Sequence, residues 1–322
     1  MNTPDLFKKS GKNLKITYYI KCLMRYLTPL ALLRYRLKKV LLTLADRNDR
    51  IYIEDRVNYY NKLETKNIIA KRCKKLSEHK LKGNKSVYFF DTYEYTRWFA
   101  PHLKWCYLFG DINYTPAVPS IVKSRPISNN NQNAIILNLD KVRHFCFLND
   151  KIPFPKKMDK IIFLGAVHGK PRRQRFMEMY FEHPACDLGD VSTNSTNPKA
   201  WQSKVITLYE HLTYKFIMTL EGNDVASNLK WVMSSNSLAV MPRPTCETWF
   251  MEGRLIPNYH YVEIKSDFSD LIERTNYYIE NPDKAQEIID HAHDYIRQFQ
   301  DKKREKLISL LVLDKYFTLT NE

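Results

Sequence analysis

From about residue 160 onward the chain repeats one rhythm: a short apolar run, a polar corner, then a helical pattern. KIIFLGAV (160–167) precedes PRRQRFMEMYFEH, with Pro171 at a first helical position. KFIMTL (215–220) precedes a helix that Asn223 or Asp224 would cap and that runs to about Ser235. LAVMP (238–242) precedes TCETWFMEG, and YVEIK (261–265) precedes DFSDLIERTNYYIE. Asn281-Pro282-Asp283 opens a further helix, and the tail to Phe317 reads as helical. Strand-length runs alternating with helices predict a parallel α/β sheet. Open parallel sheets bind ligands beyond the carboxyl ends of their strands, so the corners are where chemistry is expected.

Upstream the pattern differs. The first 80 residues read as helical and basic, ending in KRCKKLSEHKLKGNK. Then come SVYFFD (86–91), KWCYLFGD (104–111) and AIILNLD (134–140), each the length of a strand and each ending in a polar corner. PFPKKMDK (153–160), with two prolines and a charge cluster, is the candidate linker. At 322 residues the chain has room for two domains of ordinary size.

The formal charge of +16 is concentrated at one end. Residues 1–50 hold twelve Lys/Arg against three Asp, more than half of the excess. The bases recur within KITYYIKCLMRYLTPLALLRYRLKKVLLTL, so no run there reaches the roughly 18 uncharged residues of a membrane span. The same recurrence excludes a signal peptide. Two readings of this segment stand open: a basic amphipathic flank on an anionic membrane surface, and a solvated helical face of the domain. Six cysteines lie far apart with no C-x-x-C pair, which argues against zinc and predicts reduced, mostly buried thiols.

The stretch LEGNDVASNLKW (220–231) shows what a corner offers. Gly222 permits a sharp turn, and a helix beginning at Asp224–Ser227 would aim free N–H groups at the crevice. A diphosphate would suit that place, with Lys230, Arg172, Arg173 or Arg175 adding full charge. Each feature taken singly also has an ordinary reading as a capped or solvated helix start. With 8 glycines the chain has neither G-x-G-x-x-G nor a P-loop. A nucleotide would therefore be held by helix ends and basic side chains.

FLGAVHGKPRRQRF, then CDLGDVST, then YKFIMTLEGNDVASNLKWVMSSNSLAVMPRPTCETWFMEGRLIPNYHYVEIKSDFSDL resembles glycosyltransferase family 90. That family includes protein O-glucosyltransferases, fungal capsule-associated proteins and bacterial lipopolysaccharide-modifying enzymes. GDINYTPAVPSIVKSRPI (110–127) and LDKVRHFCFLNDKIPF (139–154) resemble the lipopolysaccharide branch. The resemblance covers about residues 85 to 300 and stops short of the basic N-terminus.

It implies a GT-B-like α/β fold, two Rossmann-like domains facing a cleft, with a basic helical N-terminal segment. The corresponding boundaries are 1–80 for that segment, 81–155 for an acceptor domain, 156–300 for the nucleotide-sugar domain and 301–322 for a C-terminal helix. It further implies inverting transfer of a hexose from a UDP-sugar, with neither a metal nor a cofactor, to a lipid-linked oligosaccharide acceptor. The base would be Asp111, with Asp91 as alternative; either also reads as a turn aspartate. Gly165 would allow close backbone approach to the donor, and Glu247 would accept hydrogen bonds from the ribose diol. A first-turn helix glutamate is the competing reading of Glu247. Asn228 stands where eukaryotic relatives carry an arginine, so either the diphosphate contact comes from elsewhere or the motif match is offset by one residue. Lys123 and Arg125 are either phosphate contacts or a surface corner. Trp231, Trp249 and Phe250 fit core packing better than base stacking.

An anionic membrane contacted through residues 1–45 would keep such an enzyme beside its acceptor, peripheral on the cytoplasmic face of a bacterial inner membrane. Two rival classes remain. A nucleic-acid-binding protein is disfavoured because no helix-turn-helix, RRM-type motif or zinc finger is present. A non-catalytic membrane-associated scaffold would keep the fold while tolerating loss of Asp111.

Overall fold

The computed structural model describes residues 10–67, 73–81 and 86–321. It is a mixed α/β structure with several sheets and many helices. The chain divides into two compact units that interleave in sequence. Unit 1 takes Arg143–Pro244 and Arg254–Gln298 with the residues up to Asn13. Unit 2 takes Leu14–Val142, Thr245–Gly253 and Phe299–Glu322.

Unit 2 opens with α1 (Lys15–Met24), α2 (Leu30–Leu42) and α3 (Arg50–Tyr60), as the basic helical reading expected. Two short strands, β1 (Lys74–Lys75) and β2 (Lys104–Trp105), flank α4 (Ser86–Thr96). A three-stranded parallel sheet follows, in the order β3 (Tyr107–Leu108), β4 (Ser120–Val122), β6 (Ala134–Ile136). Antiparallel β5 (Ser124–Pro126) and β11 (Cys246–Thr248) form a separate pair. The last helix of this unit, numbered α11 (Lys302–Thr320), is capped by Asp301, whose carboxylate accepts the Lys303 and Arg304 N–H groups. The run 86–91 is thus the first half of a helix and not a strand. Its aromatic and apolar residues face two sides at helical spacing, and Phe89 and Phe90 pack with Cys22, Tyr18 and Tyr19.

Unit 1 is built on a five-stranded parallel sheet: β7 (Met158–Gly165), β8 (Cys186–Asp190), β9 (Tyr214–Met218), β10 (Leu238–Met241) and β12 (Val262–Glu263). In space they run β8-β7-β9-β10-β12, which in chain order is 2-1-3-4-5. Helices α5 (Lys141–His144, straddling the unit boundary), α6 (Pro171–Tyr180), α7 (Leu208–His211), α8 (Leu229–Val232), α9 (Leu271–Glu280) and α10 (Pro282–Arg297) complete the alternation. Pro171 and Pro282 sit in the first turns of their helices, where a missing N–H costs nothing. α10 buries Ala285, Ile288, Ile289, Ala292 and Ile296, a stripe at helical spacing. The core joins Phe163, Phe176, Phe216, Val240, Val262, Phe268 and Ile289.

Three local expectations fail. The segment 153–160 is no linker: Phe154 is fully buried, and the Lys157 ammonium pairs with Asp150 at 2.7 Å and donates to the Leu212 carbonyl. TCETWFMEG gives β11 and a single 3-10 turn, because β5 supplies a strand partner. Cys73 and Cys106 are joined in a disulfide, whereas Cys22, Cys146, Cys186 and Cys246 are buried thiols. The reason lies in register: Lys74 opposes Trp105 and Lys75 opposes Lys104, so the residues one step outward face each other across the pair.

Candidate functional site

In unit 1 the strand order reverses between β7 and β9, which places the crevice of an open sheet at their carboxyl ends. Arg173, in the first turn of α6, ties those ends together. Its Nη1 donates to the Ala166 carbonyl at 2.9 Å, Nε to the Glu221 carbonyl at 3.1 Å and Nη2 to the Leu220 carbonyl at 2.6 Å. The guanidinium also lies over the Phe163 ring, 5.6 Å from its centroid.

Both nominated glycines make room for this side chain. A Cβ on Gly165 would meet the Phe163 ring at 2.7 Å and Arg173 Nη1 at 3.5 Å. A Cβ on Gly222 would meet Arg173 Nη2 at 3.3 Å. Gly11, Gly110 and Gly169 are the described glycines with positive φ, so Gly222 serves through its lack of volume rather than through turn freedom.

Arg173 ends on three neutral oxygens, and among the described residues no carboxylate pairs with it. Burial, and secondarily the Arg143 charge, lowers its pKa to about 10. It therefore stays protonated at neutral pH, a cation with no carboxylate partner among the described residues. Arg172 by contrast is paired with Glu221 at 3.2 Å, and Arg175 is exposed. Lys170 donates to the Asn223 side-chain oxygen.

The loop after β8 closes the other side. Asp190 is 2% exposed, and its carboxylate accepts from the Val167 N–H at 3.0 Å, the Ser192 N–H at 2.8 Å, the hydroxyls of Ser192 and Ser195, and the Asn197 amide at 2.9 Å. Burial alone would raise its pKa. The hydroxyl, backbone and amide donors outweigh burial and hold it well below the usual carboxylate range. The sequence signal for it is Asp190-Val191 followed by STNSTN, a run of side chains and N–H groups suited to Asx turns.

The helix expected from Asn223 does not form. Residues 221–228 are bends and turns, and α8 is one turn starting after Asn228. Asn228 Nδ2 donates to the Met218 carbonyl at 2.9 Å, and Arg173 holds residues 220 and 221, so the segment is pinned as a loop over the end of β9. Asp224 is buried and Ser227 is half-buried before α8; Lys230 is completely buried within it. The expected helix N-terminus at 224–227 is therefore absent, and the Lys230 side chain expected to add charge to the crevice is buried.

Unit 2 separates the two candidate bases. Asp91 lies in α4, fully buried, accepting from the Tyr18 hydroxyl at 2.9 Å and the Lys141 N–H at 3.0 Å. Burial raises its pKa, against the opposing pull of Lys141. Asp111 lies in the loop after β3, its side chain 27% exposed, with Oδ1 2.6 Å from Lys123 Nζ. The next residues clamp that loop again: the Ser124 hydroxyl accepts from the Ile112 N–H at 3.1 Å and donates to the Ile112 carbonyl at 2.9 Å. A charged carboxylate, partly open and fixed from one side, is what a general base needs.

Lys123 and Arg125 are no surface corner: they are 1% and 0% exposed. Arg125 is opposite Glu247 in the β5–β11 register, and its Nε donates to Glu247 Oε1 at 2.7 Å. The Tyr59 hydroxyl donates to Glu247 Oε2. At 2% exposure and paired at both oxygens, Glu247 has no carboxylate edge to offer a ribose, which removes the geometric basis for the role expected of it. Trp231, Trp249 and Phe250 are core residues, as their setting suggested. Among the described residues no group of three or more His, Cys, Asp or Glu is arranged to hold a metal ion.

Comparison with known proteins identifies the family. The family model "Glycosyl transferase family 90" matches residues 137–320. "O-glucosyltransferase LpsA" of Dichelobacter nodosus is 40% identical over 270 residues, 84% of this chain and 84% of that protein. Human "Protein O-glucosyltransferase 1" is 26% identical over 157 residues, 45% of this chain and 38% of that protein. "Uncharacterized protein 179R" of Invertebrate iridescent virus 6 is 32% identical over 185 residues, 53% of this chain and 15% of that protein. With a family model spanning more than half of it and a relative matched over most of its length, the chain belongs to glycosyltransferase family 90 and is a glycosyltransferase.

Proposed function

We propose that the chain transfers a hexose, with inversion, from a UDP-sugar to a hydroxyl of a lipid-linked oligosaccharide of the lipopolysaccharide type. In this reading the architecture is GT-B-like, with one Rossmann-like domain for each substrate. Asp111 takes the acceptor hydroxyl proton as that oxygen forms its bond to the anomeric carbon from the face opposite the phosphate. The bond from the anomeric carbon to the diphosphate oxygen breaks, and UDP leaves with the electron pair. Arg173 receives that developing charge, assisted by Arg172 and by the loop around Gly222, Asp224 and Ser227. Lys123 is a positioning residue that holds the Asp111 carboxylate.

The observation that carries this reading is the contrast between the two aspartates. Asp91 is sealed and saturated, whereas Asp111 is charged, fixed and partly open. The similarity to an O-glucosyltransferase supports the donor sugar class, and the name of that relative supports the acceptor class. Among the described residues no helix is long and apolar enough to cross a membrane. We place the protein peripherally on the inner face of the inner membrane, contacting anionic lipid through residues 1–45.

The test is calorimetric titration with UDP in EDTA for the wild type and Asp111→Asn, followed by transfer assays with UDP-hexoses and truncated lipooligosaccharide. Both proteins should bind UDP in the micromolar range, and transfer by the variant should fall about 10³-fold. Absence of UDP binding by the folded wild type, or full activity of the variant, would overturn the proposal.

A further inference from the structure

Helix α1 carries an apolar face that no other described residue covers. Ile16, Ile20, Leu23 and Met24 are 75%, 52%, 59% and 61% exposed, and Leu27, in the 3-10 turn that continues the helix, is 80% exposed. At about 100° per residue these five positions share one arc of about 100°. The opposite side is the packed one: Cys22 is buried, Tyr18 and Tyr19 lie on Phe89 and Phe90, and Arg25 pairs with Glu94 at 2.9 Å. Single exposed apolar side chains are ordinary, but five in one stripe mark a contact surface.

Its charge says what the contact is. Residues 10–42 contain eight Lys/Arg and no Asp or Glu. Lys15 and Lys21, both exposed, flank the stripe on its two sides. Helix α2 adds Tyr35 at 86% exposure, with Arg36, Lys38 and Lys39 exposed beside it. A second copy of this chain docking stripe to stripe would bring two such acid-free segments together, which like charge opposes. A bilayer with anionic headgroups satisfies both features at once: acyl chains accept the stripe, and headgroups meet the bases. Lysine stems beside a buried stripe let their ammonium groups reach the headgroup level.

We infer that α1 is an in-plane anchor that inserts Ile16, Ile20, Leu23, Met24 and Leu27 into the surface of an anionic membrane. The inference sharpens the membrane contact of residues 1–45 and rests on that reading. It adds insertion to charge attraction, and it assigns the inserted side chains to one helix face.

Flotation of the full-length protein with phosphatidylcholine vesicles, with and without phosphatidylglycerol, tests it. The wild type should float with the anionic vesicles, and Ile20→Asp/Leu23→Asp should lower the bound-to-free ratio by at least about 10-fold. Part of the wild-type binding should survive about 0.5 M salt, because the apolar contact is not screened. Equal flotation of wild type and variant, with all binding lost in salt, would overturn insertion in favour of adsorption by charge. A wild-type dimer without lipid that the variant abolishes in sedimentation velocity would overturn it in favour of self-association. Transfer to a soluble acceptor should be unchanged in this variant, whereas Asp111→Asn should lose transfer and still float. The anchor and the transferase reading therefore fail independently.

Discussion

Two arginines, one in each unit, are held in opposite ways. Arg125 in unit 2 is completely buried, opposite Glu247 in a strand pair, with the Tyr59, Tyr60 and Ala134 carbonyls taking its remaining N–H groups. Arg173 in unit 1 donates to the carbonyl oxygens of Ala166, Leu220 and Glu221 and, among the described residues, pairs with no carboxylate. The first charge is neutralised inside the fold and acts on stability. The second is oriented but not neutralised, so it has electrostatic energy to gain from an anionic ligand. Unit 2 repeats the closed arrangement at Arg56, whose guanidinium takes Glu305 in a two-point pair.

The largest effect expected from this contrast is on stability. Arg125→Met leaves a buried carboxylate without its cation and should destabilise the protein by about 3–5 kcal/mol, read by urea unfolding. Arg125→Met/Glu247→Leu should recover most of that loss, because removing both charges removes the uncompensated one. A single variant as stable as the wild type would break the comparison at its closed end.

Arg173 tests the other end. Arg173→Met should weaken UDP binding by about 10- to 100-fold, the value of one charge-assisted contact to a phosphate. Arg173→Lys should lie between, since one ammonium cannot span three carbonyls and still face a ligand. Unchanged UDP affinity in a folded Arg173→Met protein would show that the cation serves only to tie the loops.

A smaller, pH-dependent effect belongs to Asp190. Its folded-state pKa lies below the ordinary 3.8, so its stabilisation is complete above that value and is lost as pH falls through the folded value. Asp190→Asn should cost about 1–3 kcal/mol near neutral pH and flatten the loss of stability on acidification. Chemical unfolding at about pH 7 and about pH 3 checks both parts. An undiminished acid loss in the variant would assign that loss to other carboxyls.

Much of unit 1 was legible in the chain itself. Apolar runs followed by helical patterns correctly marked β7, β9, β10, β12, α6, α9 and α10, because a strand buried on both faces must be continuously apolar and helix starts carry proline. The same reasoning failed at 86–91, where SVYFFD is equally apolar as a strand or as a helix turn and only packing against α1 selects the helix. It failed again at 246–248, where the strand exists because β5 lies beside it.

The site divided along the same line. Residue type and order put forward Gly222 and the arginine cluster as candidates, and the family resemblance put forward Gly165 and Asp111. Burial and partnership are not written in single residues. Whether Asp111 or Asp91 is open, whether Glu247 faces a ligand or Arg125 and Tyr59, and which arginine of 172, 173 and 175 is paired with a carboxylate among the described residues depend on neighbours up to 188 residues away. By itself the sequence determined the alternation, the basic flank and the kind of chemistry the corners carry. The tertiary structure alone decided which charges are cancelled within the protein, because cancellation requires two distant side chains to meet in one low-dielectric place.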